Sequence, residues 1–204
     1  MQPFTHLSAT ACALKLQGVD TDQLIPARFM KRTRAEGYGD VLLHDMRFTA
    51  DGTPDPTFPL NQPRAQGARI LVARRNFGSG SSREAAVYAL VDYGIACVIA
   101  PSFGDIFAAN AVNNGLLPAL VTEADAERLL ELVEAGLPAG LSVDLRTCEI
   151  TAGDLRVPFA VEPVWRIKLL NGWDDLDLTL SHLPAIAAFA RQDGIRRPWL
   201  VPTC

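Results

Sequence analysis

The strongest constraint on the fold comes from residues 69–122, where short apolar runs alternate with segments of helical periodicity. Each apolar run has the length of one buried strand, and the apolar residues between the runs recur at the spacing of one helix face. The runs are Ala68–Ala73, Ala96–Ala100 and Leu116–Val121, and the helices are predicted at Ser82–Tyr93 and from Ser102 to about Asn114. This order of elements predicts parallel strands joined by right-handed crossovers.

Residues that start and stop helices support these boundaries. Gly94 and Gly115 follow the two predicted helices, and glycine is the usual residue just past a helix end. Ser102 precedes Asp105 by three positions, which is the spacing of a capping box at a helix start. We therefore expect Asp105 to lie at the start of the second helix.

The regions on either side of this core have different patterns. Residues 1–68 are expected to be irregular, with one strand at Ala13–Leu16 and a turn-rich loop from Ala50 to Pro63. Beyond the core, Thr122 and Asp125 are predicted to cap a helix that runs to about Glu134. Three strands and two helices are then predicted at Leu141–Leu145, Cys148–Thr151, Leu155–Val161, Pro163–Asn171 and Leu183–Arg191.

Together these elements predict an α/β fold. A parallel βαβαβ core at about 69–122 carries a β-rich extension on its carboxyl-terminal side. A length of 204 residues lies close to that of one typical domain. We therefore expect residues 1–204 to form a single domain.

Composition narrows the classes of function. The chain has 23 acidic and 19 basic residues and a net charge of −4, whereas nucleic-acid-binding proteins usually carry a basic patch. No run approaches the ~18 apolar residues of a membrane span, and no basic segment precedes an apolar stretch at the N-terminus, as in a signal peptide. We expect a cytoplasmic protein with neither a nucleic acid nor a membrane as partner.

The cysteines argue against a metal site in this chain. Cys12, Cys97, Cys148 and Cys204 are far apart in sequence, without a Cys-x-x-Cys pair, and there are only three histidines. Zinc and iron–sulfur sites need several such ligands at short spacing. Sparse thiols without a disulfide pattern also fit a reducing compartment.

The segment most informative about chemistry is NFGSGSSRE at residues 76–84, here called the serine loop, between the first predicted strand and helix of the core. Ligands of open α/β sheets bind beyond the carboxyl ends of the strands. Gly78 and Gly80 permit close backbone approach. Ser81, Ser82 and the helix-start amides can donate to an anion, and Arg83 offers a planar fork to a carboxylate or phosphate.

The serine loop has three other interpretations. An ordinary Gly/Ser turn with a serine cap explains the composition without any ligand. A dinucleotide-binding loop is rejected, because the sixth position of the glycine pattern is Arg83 and the acidic residue expected about 20 positions later is missing. A Walker-type loop is rejected because the Gly-Lys-Ser/Thr ending is absent.

Six segments match a known family in the same order. They are VDTDQLIPARF (19–29), HDMRF (44–48), NFGSGSSRE (76–84), YGIACVIAPSFGDIF (93–107), NNGLLP (113–118) and NGWDDLDLTL (171–180). On these motifs the chain resembles the small-subunit family of the 3-isopropylmalate dehydratases, in the aconitase superfamily. The resemblance spans nearly the full chain and implies a swivelling β/β/α-type domain. It also implies a large partner subunit that holds a 4Fe-4S cluster on three cysteines.

The resemblance further implies an activity and site residues. The implied enzyme is a hydro-lyase, active only with its large subunit, which isomerises 2- and 3-isopropylmalate by dehydration and rehydration in leucine biosynthesis. Ser81 matches the family's base, an alkoxide, and Ser82 would donate a further hydrogen bond. Arg83 matches the arginine that holds the substrate carboxylate distal to the iron. Asp22 matches an acidic residue that orients or tunes a group of the partner.

Several of these roles have open alternatives. An Asx-type turn is the other interpretation of residues 20–22. Arg28, Lys31, Arg32 and Arg34 form a basic run, for which a solvated face and a mobile loop that reads the diacid are both open. On the second interpretation Arg28 and Arg34 bind substrate together with Ser82 and Gly80 of the serine loop.

The serine loop also departs from the family at two positions. Bacterial members commonly read NFGCGSSREHA, whereas this chain has Ser79 for the cysteine and Ala85 for the histidine. The first change preserves size and hydrogen bonding, but the second removes an imidazole beside Arg83. A related diacid hydro-lyase, of the citraconate or dimethylmaleate type, and a non-catalytic regulatory paralogue are therefore alternatives.

Overall fold

The computed structural model describes residues 1–136 and 140–200, so Cys204 lies outside the described residues. Within these described residues, eight strands form two sheets. The strands are β1 (His6–Ala9), β2 (Ala11–Leu14), β3 (Ile70–Ala73), β4 (Cys97–Ala100), β5 (Leu117–Leu120), β6 (Leu141–Asp144), β7 (Glu149–Ala152) and β8 (Leu155–Pro158). The α-helices are α1 (Thr21–Leu24), α2 (His44–Arg47), α3 (Glu84–Tyr93), α4 (Asp105–Asn113), α5 (Glu123–Ala135), α6 (Pro163–Asn171), α7 (Asp175–Ser181) and α8 (Leu183–Arg196).

The first sheet is parallel, with the strand order β2-β3-β4-β5. The helices α3 and α4 connect consecutive neighbouring strands, as the sequence pattern predicts for right-handed crossovers. The predicted α/β class and its parallel βαβαβ core are confirmed. The strand predicted at Ala13–Leu16 is β2, which occupies Ala11–Leu14 instead. It begins two residues earlier because Ala11 pairs with Ile70, the first residue of β3.

The second sheet is antiparallel, with the order β1-β6-β7-β8. The three carboxyl-terminal strands were predicted, but β1 was not, because residues 1–68 were expected to be irregular before Ala13. Only one residue of β1, Leu7, is buried. The strand therefore has no run of apolar residues that would mark it in the sequence. Pairing with β6 makes His6–Ala9 a strand, although β6 lies more than 130 residues further along the chain.

The parallel sheet separates two apolar layers. Leu14, Leu71 and Val98 face one layer, where they pack with α3 and the segments that precede β3. The alternate residues of the same strands, such as Ile70 and Ile99, face a second layer formed with α5 and the antiparallel sheet. A sheet covered on both faces needs apolar residues at every position, which explains the uniformly apolar runs of the core.

The helix starts differ in part from the predictions. The α3 helix begins at Glu84 with Arg83 at the cap position, so Ser82 lies outside it. The predicted capping box of Ser102 and Asp105 is wrong, because Gly104 precedes α4. The Ser102 hydroxyl instead accepts a hydrogen bond from the Asn76 amide at 2.8 Å.

The start of α5 agrees with the prediction. The Thr122 hydroxyl accepts from the Asp125 amide at 3.1 Å, which satisfies one of the donors that a helix start leaves unpaired. The α7 helix was not predicted, and its cap, Asp174, shares a capping box with Asp177. No helix in 1–136 or 140–200 has the length and apolar character needed to cross a membrane.

Candidate functional site

The candidate site lies where β2, β3 and β4 end at one edge of the parallel sheet. Backbone hydrogen bonds join the loops that follow these strands. From the serine loop, the Gly78 amide donates to Val19 O at 2.6 Å and the Phe77 amide to Ser102 O at 3.0 Å. The Thr21 amide donates to Ser79 O at 2.9 Å. Residues distant in sequence are therefore held side by side, at the edge where α/β sheets bind ligands.

An aromatic cluster supports the base of the serine loop. The Phe107 ring lies 5.5 Å from the Phe77 ring and 6.4 Å from the Phe103 ring, measured between centroids. Gly78 crosses over this cluster with φ +71°, and a Cβ there would stand 2.2 Å from Cγ of Phe107. Only glycine fits this position without a shift of the ring or the loop.

The tip of the serine loop is open to solvent. Gly80 has φ +100°, and Gly80, Ser81 and Ser82 are all exposed. Within the part of the chain that the structure describes, the amides of residues 81–85 have no hydrogen-bond acceptor. They lead into the N-terminus of α3, the positive end of the helix dipole. Free amides at such a point form a binding place for an anion.

Arg83 and Asp22 form an ion pair across this site. The Arg83 side chain is 17% exposed, whereas that of Asp22 is 55% exposed, so the carboxylate faces solvent beside the loop tip. Asp20 caps α1 through a capping box with Gln23. Residues 20–22 therefore begin a short helix rather than forming only an Asx-type turn. The structure brings Asp22, Gly80, Ser81, Ser82 and Arg83 together.

The basic run is not a strip of free positive charge. Arg28 contacts Asp45 at 2.7 Å, and this guanidinium lowers the pKa of the carboxyl to about 2. Arg32 contacts Asp40 at 2.7 Å. Each arginine therefore has a carboxylate partner within the chain.

Arg34 is not brought to the serine loop. It pairs with Asp92, and its guanidinium lies 4.5 Å from the centre of the Tyr88 ring. Asp92 stands eight residues after Glu84, the first residue of α3, which is about 12 Å along the helix axis. In this conformation Arg34 therefore braces the far end of α3.

Sequence reasoning missed one polar residue of this site, Thr21. The residue is 2% exposed, and its hydroxyl donates to Ser81 O at 3.0 Å. A threonine between two aspartates gives no sequence signal of burial, because turns and helix starts favour such polar residues.

Ala85, one of the two residues that depart from the family pattern, does not lie at the tip of the serine loop. It is half-buried and packs against the apolar layer beside α3.

The described residues do not fit an iron–sulfur cluster or another metal centre. Among them, no three His, Cys, Asp or Glu side chains converge as a ligand set. Cys12 and Cys97 are buried in the two apolar layers, where desolvation raises the pKa of Cys12 to about 12 and raises that of Cys97. Buried thiols of this kind are poor metal ligands because the thiolate is the ligating form.

The parallel sheet, the antiparallel extension and the serine loop at the sheet edge define an aconitase-type swivel domain. A crystal structure of a 3-isopropylmalate dehydratase from Methanocaldococcus jannaschii has this fold, with a TM-score of 0.65, 24% identity, and alignment over 90% of this chain and 98% of that one.

Sequence comparison narrows the class to a family. The model of the aconitase C-terminal domain matches residues 1–124. A 3-isopropylmalate dehydratase small subunit of Afipia carboxidovorans is 44% identical over 98% of this chain and 100% of its own length. That of Rhodospirillum centenum is 45% identical over 98% of both chains. The chain belongs to the aconitase C-terminal domain family, among the small subunits of 3-isopropylmalate dehydratases.

Proposed function

We propose that this chain is the small subunit of a 3-isopropylmalate dehydratase, a hydro-lyase that interconverts 2- and 3-isopropylmalate in leucine biosynthesis. The observation that carries the proposal is the arrangement of the serine loop, in which an exposed serine, amides without acceptors in the described chain and an ion-paired arginine meet at one edge of the parallel sheet. Relatives that bear this name align with the chain at 44–45% identity over almost its whole length.

In the proposed mechanism Arg83 binds a substrate carboxylate. A guanidinium has five N–H donors, and Asp22 contacts only Nη1. The remaining donors suit bidentate recognition of a carboxylate. Asp22 holds the guanidinium at Nη1 and orients it.

Ser81 is the proposed base that removes the carbon-bound proton. Its hydroxyl must lose a proton first, and the resulting alkoxide requires strong stabilisation. The unpaired amides of residues 81–85, the N-terminus of α3 and Arg83 provide positive potential at that position. Ser82 donates a further hydrogen bond in this scheme, and Gly80 keeps the approach to the loop open.

The proposed partner is a large subunit that carries the 4Fe-4S cluster and contributes the other half of the substrate site. This division is supported by the exposure of Ser81 and Ser82 on the chain's surface. The described residues also lack a cluster-ligand set.

We also propose that residues 1–204 act as one domain in the cytoplasm. The single domain is supported by the apolar layer that the two sheets share. The cytoplasm is supported by the described cysteines, which are free thiols.

The test is reconstitution with the cognate large subunit under anaerobic conditions. Wild-type pairs are assayed with 2-isopropylmalate, 3-isopropylmalate, citraconate and dimethylmaleate. We expect turnover of the two isopropylmalates, and a loss of at least about 1,000-fold in kcat for Ser81→Ala, because the base is removed. Ser181→Ala, an exposed serine on α7, serves as the matched control.

Three outcomes would contradict the proposal in different ways. Preferential turnover of citraconate or dimethylmaleate would assign another diacid. An inactive wild-type pair that still assembles would indicate a regulatory paralogue. Unchanged activity of Ser81→Ala would reject the assignment of the base while leaving the reaction intact.

A further inference from the structure

The Thr21 hydroxyl makes a hydrogen bond to the serine loop that is separate from the ion pair of Arg83 and Asp22. Thr21 is one of three polar or charged residues found buried, with Arg47 and Lys168, in the part of the chain that the structure describes. Its amide donates to Ser79 O at 2.9 Å, and its hydroxyl donates to Ser81 O at 3.0 Å. One buried residue thus holds the serine loop on both sides of Gly80.

The loop tip has few other constraints. Gly80 has no side chain, and Ser81 and Ser82 are exposed. A Cβ on Gly80 would lie 3.5 Å from the Thr21 hydroxyl, so the two residues are in near contact. Within the described chain, the Thr21 hydroxyl is the only side-chain donor to the Ser81 backbone.

Thr21 can fix the loop because α1 is itself firmly held. The capping box of Asp20 and Gln23 closes the start of this helix. Leu24 is fully buried, and its carbonyl accepts from the Leu43 amide at 2.9 Å. The next residue after Thr21 is Asp22, which pairs with Arg83. Consecutive residues of one anchored helix therefore contact both ends of the Ser81–Arg83 segment.

We propose that Thr21 is a positioning residue for Ser81, acting through a hydrogen bond to the Ser81 backbone. The inference rests on the proposed function, in which Ser81 is the base. The hydroxyl of Thr21 sets where the Ser81 Cα lies, and thus where Oγ points relative to the substrate. Small displacements of a reacting group lower the rate much more than they lower substrate binding.

The experiment compares three variants in the reconstituted enzyme. Thr21→Val keeps the shape of the side chain and removes the hydroxyl, and Thr21→Ser keeps the hydroxyl. Thr49→Val is the matched control, since the Thr49 hydroxyl also donates to a loop carbonyl, Thr53 O, at 2.9 Å. We expect Thr21→Val to lower kcat at least about tenfold with KM within about threefold, and Thr21→Ser and Thr49→Val to retain wild-type kcat.

A second measurement does not depend on turnover. Hydrogen exchange of the Gly78 and Thr21 amides, which donate to Val19 O and Ser79 O and so join the two loops, should be faster in Thr21→Val than in wild type, Thr21→Ser or Thr49→Val. Unchanged exchange, or a kcat of Thr21→Val equal to wild type in an active enzyme, would overturn the role of Thr21. So would a failure of Thr21→Ser to restore kcat. An inactive wild-type enzyme would instead overturn the proposed function, and with it the catalytic part of this inference.

Discussion

The two sheets share one apolar layer but differ in what they can do. Every residue of β3 and β4 is buried, whereas β6 and β7 alternate buried and half-buried residues. In the antiparallel sheet, short local turns join β6, β7 and β8, so the facing ends of these strands meet only their neighbours in sequence, and β1 is the one strand that comes from a distant part of the described chain. The parallel strands all end at one edge, where loops from residues 15–20, 74–83 and 101–104 meet.

This difference explains why the candidate chemistry lies at the parallel edge. A site of several residues needs groups from separate parts of the chain, and parallel strands with crossover helices deliver them to one place. The antiparallel sheet closes the second apolar layer from the other side. We therefore expect the parallel edge to determine activity and the antiparallel sheet to determine stability only.

The largest effect is expected for Arg83→Lys. Lysine keeps the charge but loses the planar fork that contacts Asp22 and would bind a carboxylate. We expect kcat/KM to fall about 1,000-fold, equivalent to ~4 kcal/mol of transition-state stabilisation, with little change in the midpoint of thermal unfolding. Arg75→Lys is the control immediately before the serine loop, since Arg75 is exposed and contacts Glu123 at 3.3 Å. A similar loss in both variants would show that the fork of Arg83 has no special role.

The second effect concerns the base of the serine loop, where we expect Gly78→Ala to destabilise the fold by about 3 kcal/mol. The new Cβ would meet the Phe107 ring at 2.2 Å, and the residue has φ +71°. Gly67→Ala separates these causes, because Gly67 has φ +69° with no atom within 4 Å of its Cβ position. That control should cost about 1 kcal/mol, measured by urea unfolding. Equal costs would mean that the aromatic cluster yields to the methyl group.

A smaller effect is expected for Ile150→Val in the antiparallel sheet. Ile150 is fully buried in the layer shared by both sheets, and the loss of one methylene typically costs about 1 kcal/mol. Ile70→Val in the parallel sheet removes the same group from the same layer and should cost a similar amount. Neither variant should change kcat once folded. A fall in kcat for Ile150→Val alone would break the proposed separation between activity and stability.

The sequence predicted the parallel core because its signals are local. Uniform apolar runs mark strands covered on both faces, and their bounds differ from the structure by one or two residues. The β1 strand was missed because four residues with one buried side chain become a strand only through a distant partner. The Ser81 and Arg83 positions followed from family motifs, and the structure then placed Asp22 beside them.

The ion pairs of the arginines could not be predicted from the sequence either, because they too depend on partners that are distant along the chain. Arg34 and Asp92 are 58 residues apart, so only tertiary structure, in which residues 39–41 pack against α3, brings them together. The buried contact of Thr21 with Ser81 spans 60 residues. Side-chain partners across such separations depend on tertiary structure, whereas periodicity reports only which face of one element is buried.

The smallest effect is expected for Arg156→Ala on the exposed side of the antiparallel sheet. Arg156 on β8 contacts Glu149 on β7 at 2.6 Å, and the side chains are 71% and 36% exposed. Water screens such a pair and its long side chains lose entropy when held, so we expect a change in unfolding free energy below about 0.5 kcal/mol. Activity should equal wild type, and added salt should reduce even this small difference. A loss of activity would mean that the outer face of this sheet contacts the partner subunit, and the division of roles between the two sheets would then fail.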